Sequence, residues 1–181
     1  MTDRSLLTPL DDAHWPETIA DLRDGFAGRL DVYRVLARHP ALIRAWTGFR
    51  EHVVLNSTLG PEQSEVVILR TAHRRRAAYE WAHHVVRGRD RGLSDARIAA
   101  LSGPLADMGP DDRMLARAVD ELVDDACISP PLRAALVDRL GAEGTLDLMA
   151  TVGAYTLLAF VVKTFETPVD ADIADHPPLS P

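Results

Sequence analysis

The sequence predicts an all-α fold, a single-domain helical bundle of about eight helices. Three observations carry this. Apolar residues recur at three- and four-residue spacing over most of the chain, no segment sustains period-2 alternation, and Pro, Ser and Gly fall where the periodic stretches would start and stop. The first 16 residues and the last 15 are rich in Pro and Asp, so segments 1–16 and 167–181 are expected to be extended, flanking a domain at 17–166.

Between those ends the helices follow in order. Residues 16–30 place Ile19, Leu22 and Phe26 on one face, with Pro16 suited to a first turn. "VYRVLARHP" is a shorter helix stopped by Pro40, and "ALIRAWTGFREHVVLN" repeats Leu42, Trp46, Phe49 and Val53. "GPEQSEVVILRTAHR" starts after Gly60, with Pro61 in its first turn and Glu62 favourable to the helix dipole. "AAYEWAHHVV" runs on toward Gly92, a C-cap glycine, and Ser94 caps "SDARIAALSG". "PDDRMLARAVDELVDDA" and "SPPLRAALVDRLG" are amphipathic, and "GTLDLMATVGAYTLLAFVVKTF" is the last and most apolar helix.

Composition narrows the function. Hydrophobic residues make up 46% of the 181, enough for a sizeable core, and the formal charge of −7 argues against nucleic acid or an anionic membrane as a partner. The longest apolar run, 148–162, is short of the roughly 20 residues a membrane span needs, and the N-terminus carries no signal-peptide core. A cytoplasmic location is expected. Cys127 is the only cysteine, so no intrachain disulfide, CxxC redox pair or cysteine zinc cluster can form, and it reads as a small buried residue.

One constellation stands out. Projected at about 100° per residue, Ala77, Ala78, Trp81, Ala82, Val85 and Val86 form an apolar arc. Glu80 and His84 lie one turn apart on its edge, close enough to touch; Tyr79 and His83 lie on its other side. Such an i,i+4 Glu–His pair is either a solvated contact or a proton-transfer pair. On the preceding helix, Glu65 shares a face with Ile68, Leu69 and Ala72. A carboxylate there is costly unless it is paired, with one of Arg70, Arg74, Arg75 or Arg76, or is a tuned acid–base group. Antiparallel packing of the two helices would bring Glu65 to Glu80 and His84.

"E-VVILRTA", "YEWAHH" and "RGLSDARIAAL" resemble the carboxymuconolactone decarboxylase family, within the alkylhydroperoxidase-D-like all-α superfamily. The resemblance covers about residues 30–165 and is strongest from Glu65 to Leu101. In the peroxidase-like branch it implies a relay of a Glu, a CxxC pair and a His. Carried over by spacing, the Glu falls on Glu65, the His on His84 and the two cysteines on Ala77 and Glu80. Both thiols are missing, which argues against a peroxide-detoxifying protein. Glu65, Glu80 and His84 form the set of the decarboxylase-like branch.

The resemblance thus implies a cofactor-free lyase, a decarboxylase, or an isomerase of aromatic-compound catabolism, acting on a small lactone or keto-acid metabolite. The alternative is a non-catalytic, oligomeric small-ligand-binding protein of the same fold. His84 or Glu80 would take or deliver a proton beside a carbonyl, and Glu65 would set the imidazole tautomer. Tyr79, Arg76 and His83 complete the set as substrate-binding candidates. Tyr79 reads either as an oxyanion donor or as a core aromatic, Arg76 as a carboxylate partner or a solvated residue, and His83 also as a surface or interface residue. No metal or other cofactor is expected; adjacent histidines project too far apart to share one ion. The apolar last helix predicts a homo-oligomer: a dimer, trimer or hexamer.

Overall fold

The computed structural model describes residues 7–174, 176 and 179, and none of these lies in a strand. Residues 7–16 are extended apart from a 3-10 turn at Asp12–His14, and a second turn, Glu17–Ile19, leads into α1 (Ala20–Arg23). The helix expected across 16–30 is therefore cut short. After Arg23 the chain enters successive turns, and Gly28 passes so close that a Cβ there would lie 1.8 Å from the Arg23 carbonyl oxygen. α2 (Asp31–Leu36) and α3 (Pro40–Glu51) follow, with the His39 ring accepting from the Leu42 N–H as the cap of α3.

Helix α3 then widens into a π-helical turn, His52–Asn56. Asp147, from a distant helix, pins this turn. Its carboxylate accepts from His52 Nε2 at 2.6 Å, from the Thr58 N–H at 2.6 Å and from the Thr58 hydroxyl at 2.9 Å. Turns of this kind re-aim the side chains they carry, and here they aim Val53 and Val54 at the cavity described below.

The bundle is built around α4 (Pro61–Arg75), whose residues 64–72 are all buried. It packs against α5 (Ala78–Asp90), α7 (Pro110–Asp125) and α8 (Pro130–Thr164). Arg76, with φ of 52°, forms the left-handed elbow that turns α4 back into α5. α6 (Asp95–Ala100) is capped by Ser94, whose hydroxyl accepts from the Arg97 N–H. α8 is two helices in series, broken at Gly141 (φ 73°, ψ 179°), a conformation essentially reserved for glycine. By length and composition α8 could cross a membrane, but 56% of its most apolar window is buried inside the protein. The C-terminal segment is not wholly extended, because Ala171–Ala174 forms a short α9. Cys127, expected to be buried, is exposed just after the left-handed Ala126 ends α7.

Two apolar clusters fill the bundle. One gathers Val66, Val67, Leu69, Trp81 and Val85 with residues of α6, α7 and the first part of α8. The other gathers Ile68, Tyr79, Tyr155 and Leu158 with α2, α3 and the N-terminal segment. Each fully buried aliphatic side chain contributes about 1.5–3 kcal/mol, which is what lets the fold tolerate buried polar groups between the clusters. Arg70 is one such group. It grips Asp120 with two bonds of 2.8 and 2.7 Å and donates to the Leu101 and Gly103 carbonyls, tying α4 to α7 and to the loop after α6.

Candidate active site

Glu65, Glu80, His83 and His84 are each no more than 3% exposed and sit at the seam between the two clusters. The structure joins Glu65 and His84 as expected: a Glu65 oxygen lies 2.6 Å from His84 Nδ1. An ionised carboxylate only accepts, so the ring proton is on Nδ1 and His84 donates it. The other ring nitrogen, Nε2, receives a long contact of 3.4 Å from Arg87 Nη1. A guanidinium only donates, so Nε2 carries the lone pair. Glu65 therefore fixes the tautomer that leaves a basic nitrogen facing outward.

The electrostatics agree. Burial pushes the His84 imidazole below its usual range against the pull of Glu65, and Arg87 pushes it the same way. Burial alone would raise the Glu65 carboxyl. The His84 ring and the Arg91 and Arg87 guanidiniums outweigh it and hold Glu65 below the usual carboxylate range. The expected arginine partners of Glu65 were on its own helix or just past it. The observed one is Arg91 at the end of α5, 3.5 Å away, while Arg74 pairs with Asp120 and Asp124, and Arg75 with Thr156.

Glu65 and His84 open onto a cavity of about 250 Å³, walled by Val53, Ile68 and Tyr155 and ringed by Arg50, Arg87 and Arg91. None of the three arginines, nor Tyr155, is among the residues singled out from the sequence. Arg87 and Arg91 continue the Glu80–His84 stripe at offsets of three and seven from His84, a signal present in "EWAHHVVRGRDR". Arg50 and Tyr155 come from α3 and α8 and leave no local sign. Arg50 stacks its guanidinium 4.4 Å from the Phe26 ring centroid, and its buried Nε has no partner among the described residues. The cavity thus presents three guanidiniums against one ionised carboxylate.

The other candidates separate from this cavity. Glu80 has no hydrogen bond to His84; instead it lines a hollow of about 10 Å³ behind His84, Arg87 and Tyr155, room for about one water. Its Oε1 has no partner among the described residues, and burial raises its carboxyl to about 7 against the favourable charges of His83 and Arg87. Tyr79 is no oxyanion donor here. Its hydroxyl donates to Asp170 and accepts from the Val32 N–H. His83 is neither at the surface nor in the cavity. It stacks on Tyr79 at 4.2 Å, donates from Nδ1 to the Tyr79 carbonyl and places Nε2 2.8 Å from Asp170. Asp170 also accepts from the Asp31 N–H, so the pair staples the C-terminal segment to α2 and α5. Arg76 is exposed at the elbow. It borders a separate pocket of about 470 Å³ with His73 and Trp81, which shares no residue with the Glu65–His84 cavity. The α4–α5 elbow projects it away from the seam, which is why adjacency in sequence misled. Among the described residues no three His, Cys, Asp or Glu side chains converge as a metal-binding group.

A buried Glu–His pair on two neighbouring helices is thus set in an all-α bundle whose fold is alkylhydroperoxidase-D-like. Solved structures agree on the fold. A peroxidase-related protein from Silicibacter sp. is similar with a TM-score of 0.78 at 15% identity, covering 97% of this chain and 98% of that one. A peroxidase-related protein from Ralstonia eutropha, described as an alkylhydroperoxidase AhpD core, gives 0.77 at 15% over 92% and 94%. The debrominase Bmp8, in complex with 2,3,4-tribromopyrrole, gives 0.72 at 13% over 94% and 95%. The family model for carboxymuconolactone decarboxylase matches residues 40–122. The matched residues include Glu65, Glu80 and His84. No curated protein matches the chain in sequence.

Proposed function

We propose that this protein is a proton-transfer enzyme, a lyase (decarboxylase) or an isomerase, acting on a small anionic lactone or keto acid. The observation that carries the reading is His84, bonded to Glu65 through Nδ1, with Nε2 and its Arg87 neighbour toward a cavity ringed by Arg50, Arg87 and Arg91. Guanidiniums facing an otherwise apolar cavity suit a carboxylated substrate. The substrate's carboxylate draws Arg87 away from His84 and frees the Nε2 lone pair. Nε2 then takes a proton from the carbon next to the carbonyl. The C–H electron pair passes into the carbonyl, leaving an enolate, and Glu65 stabilises the imidazolium that forms.

Return of that proton to a different carbon gives isomerisation. In a decarboxylation of a substrate with its carboxylate on the carbon next to the carbonyl carbon, the C–C bond breaks, its electron pair passes into the carbonyl as CO₂ leaves, and the enolate takes a proton from solvent. The substrate's own carbonyl is the electron sink in both cases. The peroxidase-like neighbours do not extend to this chain, because Ala77 and Glu80 occupy the places of the two thiols and Cys127 is exposed elsewhere.

We further propose a homo-oligomer. Leu146, Leu157 and Phe160 lie exposed on one side of α8 at helical spacing, an apolar strip suited to a second copy. We also propose a role in aromatic-compound catabolism, on the match of residues 40–122 to the carboxymuconolactone decarboxylase model.

The test is turnover of a panel of carboxylated lactones and 2- and 3-keto acids by the wild type and by His84→Ala. Loss of turnover in the variant, by about 10²–10⁴-fold, supports the reading. Unchanged turnover refutes it, and tight binding with no turnover in the wild type turns the reading to a ligand-binding protein.

A further inference from the structure

We infer that Tyr155 is a catalytic residue, its hydroxyl donating to the oxygen that becomes negative when His84 removes a proton from the neighbouring carbon. This rests on the proton-transfer reading above and assigns it a group that neither sequence nor family places there. Tyr155 stands on α8, 5% exposed, with its ring edge-on to His84 at 4.9 Å between centroids and 87° between planes. It borders both the outer cavity and the small hollow that holds Glu80. One bound molecule of a few atoms can therefore touch both His84 Nε2 and this wall.

The polar groups of the cavity divide by chemistry. Arg50, Arg87 and Arg91 are cations that suit a carboxylate. The Ser64 hydroxyl is spent on the Gly60 carbonyl and Thr71, further along α4, on that of Val67. Tyr79, the tyrosine expected to serve an oxyanion, is committed to Asp170. No hydrogen bond joins the Tyr155 hydroxyl to another of the described residues, and its residue lines the open cavity, where a ligand oxygen can meet it. It is the neutral donor of the cavity wall left without a protein acceptor. Burial, with the nearby Tyr33, Glu80 and Glu65, holds its hydroxyl protonated well beyond neutrality, so it is present as a donor and not as a phenolate.

The step balances without a further reactant. The carbon's proton goes to His84 Nε2, the C–H pair forms the new C=C bond, and the carbonyl π pair moves onto oxygen. Tyr155 keeps its own proton and shortens its hydrogen bond as that oxygen gains charge.

The experiment uses the full chain and two readouts. The first is exchange of the protons next to the carbonyl in D₂O, followed by proton NMR, with 2-oxoglutarate and 5-oxotetrahydrofuran-2-carboxylate as probes. The second is calorimetric binding of the nitronate of 3-nitropropionate, a carbanion mimic, with succinate as a dicarboxylate control. For Tyr155→Phe the expected results are exchange slower by about 10–100-fold at saturation, nitronate affinity weakened by a similar factor and succinate affinity unchanged. Equal exchange and equal nitronate affinity in Tyr155→Phe and wild type overturn the inference, as does a parallel loss of nitronate and succinate binding, which marks a merely structural role. Should the wild type exchange neither probe, the nitronate decides: selective loss on Tyr155→Phe supports the inference, and no loss or no binding overturns it. Exchange that survives His84→Ala but falls in Tyr155→Phe overturns the proton-transfer reading and leaves the Tyr155 contact standing.

Discussion

His84 Nδ1 lies 2.6 Å from a Glu65 carboxylate oxygen, across the interface of α4 and α5 and with both side chains almost wholly buried. A carboxylate in that place raises the basicity of the ring and holds its tautomer. Glu65→Gln keeps an acceptor but removes the charge. The variant should fold, its His84 should titrate lower than in the wild type, and proton exchange on carboxylated probes should slow by about 10²-fold or more. Exchange rates against pH on both proteins check this; an unchanged profile contradicts it.

Glu80 makes a different prediction, in stability. Its folded carboxyl is raised by burial to about 7 from an ordinary value of 4.5. A carboxyl with a raised pKa holds its proton in the folded state where the unfolded chain has lost it. Stability is therefore lost as pH rises from about 4.5 to 7, by about 3 kcal/mol in all. Glu80→Gln removes the titration. Denaturant unfolding should find the variant less sensitive to pH across this window and more stable than wild type at pH 8.

Asp170 works with the opposite sign. Burial would raise its carboxyl, but the bonds from His83, Tyr79 and the Asp31 N–H hold it below its ordinary value of 3.8. Its contribution is present above that value and is lost as pH falls through the lower folded one. Asp170→Asn should cost about 3 kcal/mol near neutrality, because it leaves a buried histidine and tyrosine without their charged partner. Faster hydrogen exchange in residues 167–174 would locate the loss at the C-terminal staple.

The arginine ring predicts selectivity for anions. Arg50→Ala and Arg91→Ala should each weaken binding of succinate, or raise KM for a carboxylated substrate, by about 10-fold. Binding of an uncharged lactone should be little affected. Arg76→Ala, at the exposed elbow, should leave both unchanged; a comparable loss there would place the anion site in the wrong cavity.

Much of the fold was legible before any coordinates. Pro61 and Pro110 open α4 and α7, Ser94 caps α6, and Gly141 separates the two halves of the long apolar helix. The errors came where tertiary contacts overrule local pattern. Ile19, Leu22 and Phe26 keep helical spacing, yet α1 ends at Arg23 and the chain folds back so that Gly28 lies against the Arg23 carbonyl. The π turn after Glu51 depends on Asp147, which is distant in sequence. At the site, Glu65 and His84 could be paired because each sits on the inner face of a periodic helix. Glu80, one turn before His84, was expected to touch it, but it lies behind the wall that His84, Arg87 and Tyr155 build. Tyr79 and His83 could not be read, because Asp170 reaches them from a segment with no periodicity. Tyr155 was hidden in an apolar run where a tyrosine looks like any other core residue.

The central claim is that His84 is a neutral base whose proton Glu65 holds on Nδ1. Two-bond proton–nitrogen NMR on protein with ¹⁵N-labelled histidine, comparing wild type with His84→Gln to assign the signal, tests this most directly. The account predicts that at pH 7 the His84 ring is uncharged, with its proton on Nδ1 and an unprotonated Nε2. A His84 already carrying two protons at that pH, or one whose single proton sits on Nε2, would contradict it.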